Sequence, residues 1–72
     1  MIDLSKFDNL DGKRFKTNGG RVVTAVKIFI DHGQLLVEFK APSGAPLLYT
    51  PEGICKAPFL DPAMDLLDGV PL

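Results

Sequence analysis

The chain has 72 residues, with 8 Lys and Arg against 9 Asp and Glu, 46% hydrophobic residues, one Cys and no Trp. That is material for one domain with a modest core, because a chain this short hides only about 60% of the surface its unfolded form exposes. A large catalytic cleft is not expected, a net charge of −1 projects no long-range field, and a lone Cys55 cannot form an internal disulfide.

The first residues, Met1-Ile2-Asp3-Leu4-Ser5-Lys6, lack the basic start and long apolar stretch of a signal peptide. No apolar run approaches the ~20 residues that span a bilayer, so the expectation is a cytoplasmic protein with no membrane partner. Residues 1–12 form an N-terminal segment in which Leu4, Phe7 and Leu10 recur at helical spacing, predicting a turn of helix between Asp3 and Leu10.

Residues 13–57 read as a β-meander. Arg14-Phe15-Lys16-Thr17 alternates and runs into Asn18-Gly19-Gly20, a turn whose residues accept positive φ. Arg21 to Ile30 and Leu35 to Lys40 are rich in β-branched residues and flank Asp31-His32-Gly33-Gln34, which predicts a hairpin. Strict alternation in the longer strand puts Val22, Thr24, Val26, Ile28 and Ile30 on one face, and Arg21, Val23, Ala25, Lys27 and Phe29 on the other. A Pro- and Gly-containing loop follows, then a strand at Leu47 to Thr50, a turn at Pro51-Glu52-Gly53 and a last strand at Ile54 to Lys56. Connections this short join antiparallel neighbours, since a parallel crossover needs a dozen or more residues.

Residues 58–72 change character. Asp61 suits a helix cap, Pro62 the first helical position and Gly69 a left-handed C-terminal position, predicting one or two helical turns over Pro62 to Asp68 with Met64 and either Leu66 or Leu67 toward the sheet. The expected fold is all-β: a single domain built on a small, curved, antiparallel meander of about five strands, open or closed as an SH3-like barrel, with a short C-terminal helix.

Few residues point to chemistry. The sequence holds one His, so a zinc site would have to combine His32 with Cys55 and an Asp without recognisable spacing. Nucleophilic pairs such as Cys55 with His32, or Ser43 with His32, lack an orienting group, and Asp65 and Asp68 sit where helix caps would be. Cys55 reads as a small buried hydrophobe, and Tyr49 as a ring packed inside with its hydroxyl on a turn carbonyl. The expectation is therefore no enzyme and no cofactor.

Two binding readings remain. Lys13, Arg14, Lys16 and Arg21 surround the first turn and could meet the phosphates of a nucleic acid, although exposed aromatic residues for base stacking are scarce. Leu36, Leu47 or Leu48, Phe59, Leu60, Val70 and Leu72, with Val23 and Phe29 on the second face of the long strand, exceed the apolar surface that one inner face can cover, which favours a protein interface at Val23, Phe29, Phe59, Leu60, Val70 and Leu72. The preferred expectation is an interaction module that binds itself, most simply as a twofold dimer, or another protein.

Three blocks carry a resemblance: Lys16-Thr17-Asn18-Gly19-Gly20-Arg21-Val22-Val23, Leu48-Tyr49-Thr50-Pro51-Glu52-Gly53, and Asp61-Pro62-Ala63-Met64-Asp65-Leu66-Leu67. They resemble a group of small β-rich phage and prophage proteins without assigned function, which carry T-R-D-G-R-x-V, Y/F-T-x-D-G-R and S-P-x-D-L-V blocks. The resemblance spans roughly Gly12 to Val70 and departs at Gly20 and Ile54, where the pattern has Arg. It implies a phage-type accessory protein in a bacterial cell, binding itself or a bacterial host protein, and assigns no functional residue.

Overall fold

A computed structural model describes residues 2–57 and 61–72. Five strands follow in chain order: β1 (Arg14–Lys16), β2 (Val22–Asp31), β3 (Gln34–Lys40), β4 (Pro46–Tyr49) and β5 (Cys55–Ala57). They pair only with their sequence neighbours, all antiparallel, in the order β1-β2-β3-β4-β5, and the sheet curls into a half-barrel. The all-β meander read from the alternation is the fold. No described helix is long and apolar enough to cross a membrane.

The β2–β3 hairpin closes on the pair Asp31 and Gln34 with a two-residue loop, His32-Gly33, at φ 51° and 75°. Positive φ at both loop residues is the geometry whose twist matches that of the flanking strands. The hairpin is not regular along its length. Ala25 lies opposite Phe39 and Lys27 opposite Glu38, so Val26 is an extra residue in β2. Such a bulge reverses which side chains face the core.

The reversal corrects the expected facing of the long strand. Val23, read as an outward residue, is fully buried opposite Phe15, and Ala25 beside it is buried opposite Phe39. Beyond the bulge, Ile28 lies opposite the buried Val37 and Ile30 opposite Leu35, so the even-numbered residues now take the concave side. Lys27 and Phe29 take the convex side. A strict period of two cannot anticipate this, because a single inserted residue inverts every assignment after it.

The core joins Leu4, Leu10, Phe15, Val23, Ala25, Val37, Phe39, Leu47, Tyr49, Cys55 and Leu66. An aromatic chain runs through it from Phe7 to Phe15, Phe39 and Tyr49, with ring centroids 5.9, 5.8 and 4.8 Å apart; the first two contacts are edge-to-face. The expected N-terminal turn is a 3-10 turn, Leu4–Lys6, capped by the Asp3 side chain, and the Leu4 N–H donates to Pro51 O at 2.8 Å. That bond ties the N-terminal segment to the β4–β5 turn.

The predicted C-terminal helix is a single 3-10 turn, Pro62–Met64, whose cap Asp61 accepts from Ala63 N at 3.0 Å. It stops there because other elements claim the backbone that a helix would use. Asn18 N donates to Asp65 O, Leu66 N to Gly53 O and Leu67 N to Lys16 O, each at 2.8 Å, and Leu66 bridges Thr17. Gly69 is not in the left-handed region expected of it. Of the side chains expected to face the sheet, Leu66 is buried, Met64 packs partly against the core, and Leu67 is 57% exposed. Leu72 N also donates to Arg14 O at 2.7 Å, so the tail covers the outer edge of β1 and reaches across to the β4–β5 turn.

Candidate interaction surface

The length difference between β1 and β2 leaves part of β2 without a neighbour on one side among the described residues. β1 has 3 residues and β2 has 10. β1 pairs with Val22, Val23 and Thr24, and Ala25 exchanges hydrogen bonds with Lys13 O and Gly12 N at 2.7 and 2.9 Å. Beyond that point, among the described residues, nothing pairs with the side of β2 that faces away from β3.

The backbone of this segment directs alternate hydrogen-bonding groups away from β3. Asp31 and Gln34 close a two-residue hairpin, so they form a hydrogen-bonded pair. Alternation then directs Phe29 toward β3, and turns the N–H and C=O groups of Ile30 and Ile28 outward. The side chains match that exposure. Ile30 is 72% exposed, Ile28 38% and Leu35 36%, three apolar side chains together on the concave side at the hairpin's end. On the convex side, Lys27 Nζ lies 5.6 Å from the Phe29 ring centroid and 4.0 Å from a Glu38 carboxylate oxygen.

This surface overlaps the predicted interface only at Phe29, which is half-buried on the convex face. Val23 is in the core, Leu36 and Leu47, counted with the surplus apolar residues, are buried as well, and Phe59 and Leu60 lie outside the described residues. Val70 and Leu72 are exposed at 67% and 64%, but they belong to the tail along β1. The alternation groups Ile28 and Ile30 with Val22, Thr24 and Val26 but does not show how far along the strand the core extends. The available signal was the contrast between a ten-residue strand and the three- or four-residue strand before it.

The four candidate phosphate-binding cations do not form one surface. Arg14 and Lys16 flank the inward Phe15 and project from the convex face, where Arg14 pairs with Thr24 and Thr24 with Lys40. Lys13 instead lies over the Phe7 ring, 5.9 Å from its centroid. Arg21 lines a separate groove of about 510 Å³ with Asp61, Met64, Pro46 and Leu47.

The remaining candidates have structural partners. Tyr49 is fully buried and its hydroxyl donates to Met64 O, a carbonyl of the tail rather than of the Thr50 to Gly53 turn. Burial, with Cys55 and Asp65 close by, pushes its phenol well above the ordinary 10.0. Cys55 is buried and its backbone N–H donates to Asp65 Oδ1 at 2.9 Å. His32 is exposed in the hairpin loop, 3.7 Å from Asp31. Among the described residues no three His, Cys, Asp or Glu side chains gather as a metal site would require. No family model matches the chain, and no curated protein or solved structure gives a significant match.

Proposed function

We propose that the chain is a non-enzymatic protein-interaction module that accepts an extended segment along the open edge of β2. The observation that carries this reading is the side of β2 facing away from β3, which from Val26 to Asp31 has no partner strand among the described residues and is bordered by the exposed Ile28, Ile30 and Leu35. Strand addition draws affinity from main-chain hydrogen bonds and selectivity from alternate side chains, and this edge offers both. The resemblance to phage and prophage proteins supports a second copy or a bacterial host protein as the partner. A photo-crosslinking residue at position 30 tests this. Irradiation of the purified protein and of a bacterial lysate containing it is expected to give protein adducts, whereas the same group at Ser43 gives none. Absence of adducts from position 30 in both samples overturns the reading.

A second reading is nucleic-acid binding by Arg14, Lys16 and Lys40, favoured by their exposure and by the row that joins Arg14, Thr24 and Lys40 across three strands. Phosphate contacts by these side chains would weaken steeply with salt, because each neutralised phosphate releases condensed counterion. A fluorescence titration with labelled single- and double-stranded oligonucleotides at low salt tests it, and no binding in the micromolar range ends it.

A further inference from the structure

We infer that the strand accepted by the β2 edge is the β2 edge of a second copy, paired antiparallel about a twofold axis through Phe29. This rests on the strand-addition reading above and specifies its occupant and register. With Phe29 opposite Phe29 of the other copy, Ile28 falls opposite Ile30, and Lys27 opposite Asp31, each twice by symmetry.

The backbone selects this kind of register. Ile28 and Ile30 carry the outward N–H and C=O groups, so placing them opposite each other makes two hydrogen-bonded pairs, with four main-chain bonds in all. Phe29 and the charged residues then fall in non-hydrogen-bonded positions, where cross-strand side chains approach most closely.

The side chains select the same register. On the concave side, Ile28 and Ile30 from both copies meet, flanked by Leu35, which lies opposite Ile30 within each hairpin. All three are left exposed by the single copy. On the convex side, each Lys27 meets the Asp31 of the other copy. Their side chains are 63% and 54% exposed, and the ion pairs they hold within one copy, Lys27 with Glu38 and Asp31 with His32, are long at 4.0 and 3.7 Å. Centring the pairing one residue earlier or later removes the Lys27 to Asp31 match and sets isoleucine against itself, leaving one charge opposite Phe29. Charges on sheet edges usually discourage pairing, but a lysine and an aspartate four residues apart become complementary when two copies run antiparallel about the residue midway between them.

The test is the mass in solution of the full chain and two charge variants, measured by light scattering at high micromolar concentration with folding monitored by circular dichroism. The wild type is expected to form a dimer that dissociates on dilution. Lys27→Asp gives a chain acidic at both positions and Asp31→Lys a chain basic at both, so each alone dimerises about tenfold or more weakly than wild type. An equimolar mixture of the two variants is expected to regain dimerisation as a heterodimer, since every contact then joins opposite charges.

A wild type that stays monomeric, a single variant that dimerises as well as wild type, or a mixture no better than its components overturns the proposal. Ile30→Lys provides a check independent of the ion pair, because a 72% exposed side chain contributes little to the single copy's fold, yet its replacement is expected to abolish the dimer. A monomeric wild type whose position 30 crosslinks to another protein would refute self-pairing while leaving the strand-addition reading in place. No adduct of any kind would refute both.

Discussion

The Tyr49 hydroxyl donates a hydrogen bond to the backbone carbonyl of Met64, fastening the inner face of β4 to the 3-10 turn of the tail. The ring is fully buried against Phe39, and the bond itself is part-buried. Removing the hydroxyl leaves a carbonyl in need of a partner. Tyr49→Phe is expected to cost about 1–3 kcal/mol, the typical penalty for orphaning a buried polar group, read as a lower urea midpoint with unchanged slope.

The same residue predicts an alkaline transition. Its folded-state pKa is raised, primarily by burial, so the neutral phenol is the form the fold retains. The associated stability is fully present below the ordinary value of 10.0 and is lost as pH rises from there through the folded value. Because the chain has one Tyr, phenolate absorbance reports on this group alone. At pH just above the ordinary value, the folded protein is expected to show little phenolate absorbance, and its appearance at higher pH is expected to coincide with loss of the β circular dichroism signal. Full ionisation near the ordinary value in a folded sample would contradict the burial.

Neighbouring leucines of the tail separate closure of the fold from mere exposure. Leu66 is 4% exposed within the core, and Leu67 is 57% exposed. Leu66→Ala is expected to destabilise by about 2–5 kcal/mol, whereas Leu67→Ala stays within about 0.5 kcal/mol, both measured by urea unfolding. Equal effects would mean that the tail does not close the half-barrel as described.

Gly53 joins the β4–β5 turn to both termini. Its φ is +87°, and a Cβ there would lie 3.0 Å from Ile2 Cδ1 and 3.2 Å from Leu66 Cβ. Gly44 has a similar φ of +91° but open space around it. Gly44→Ala is expected to cost about 1–2 kcal/mol from the left-handed backbone alone. Gly53→Ala adds displacement of Leu66 to the same strain, so thermal unfolding is expected to show a clearly larger loss.

Local chemistry explains which parts of this structure were legible beforehand. The β2–β3 hairpin follows from two β-branched runs around His32-Gly33, and the short cap from Asp61-Pro62, both readable within a few residues. The Val26 bulge left no comparable mark, so the alternation that located β2 correctly placed Val23 on the wrong side. The tail failed as a helix because its partners, Lys16, Asn18 and Gly53, come from distant parts of the chain, and tertiary hydrogen bonds overrode a sound local start signal. The open edge of β2 depends on where β1 ends, which requires pairing as well as pattern. For the same reason, the basic residues clustered around the first turn in sequence are dispersed over separate surfaces in the fold.

Amide hydrogen exchange along β2, followed as a function of protein concentration, tests the central claim most directly. Phe29 donates toward β3 within its own chain, so its exchange is expected to be slow at every concentration. Ile28 and Ile30 point outward, so their amides are expected to exchange rapidly in dilute protein and to become protected together as concentration rises. Protection of Ile28 and Ile30 in dilute monomer, or rapid exchange of both in a concentrated sample and in the presence of any crosslinked partner, would contradict the claim that this edge is the binding surface.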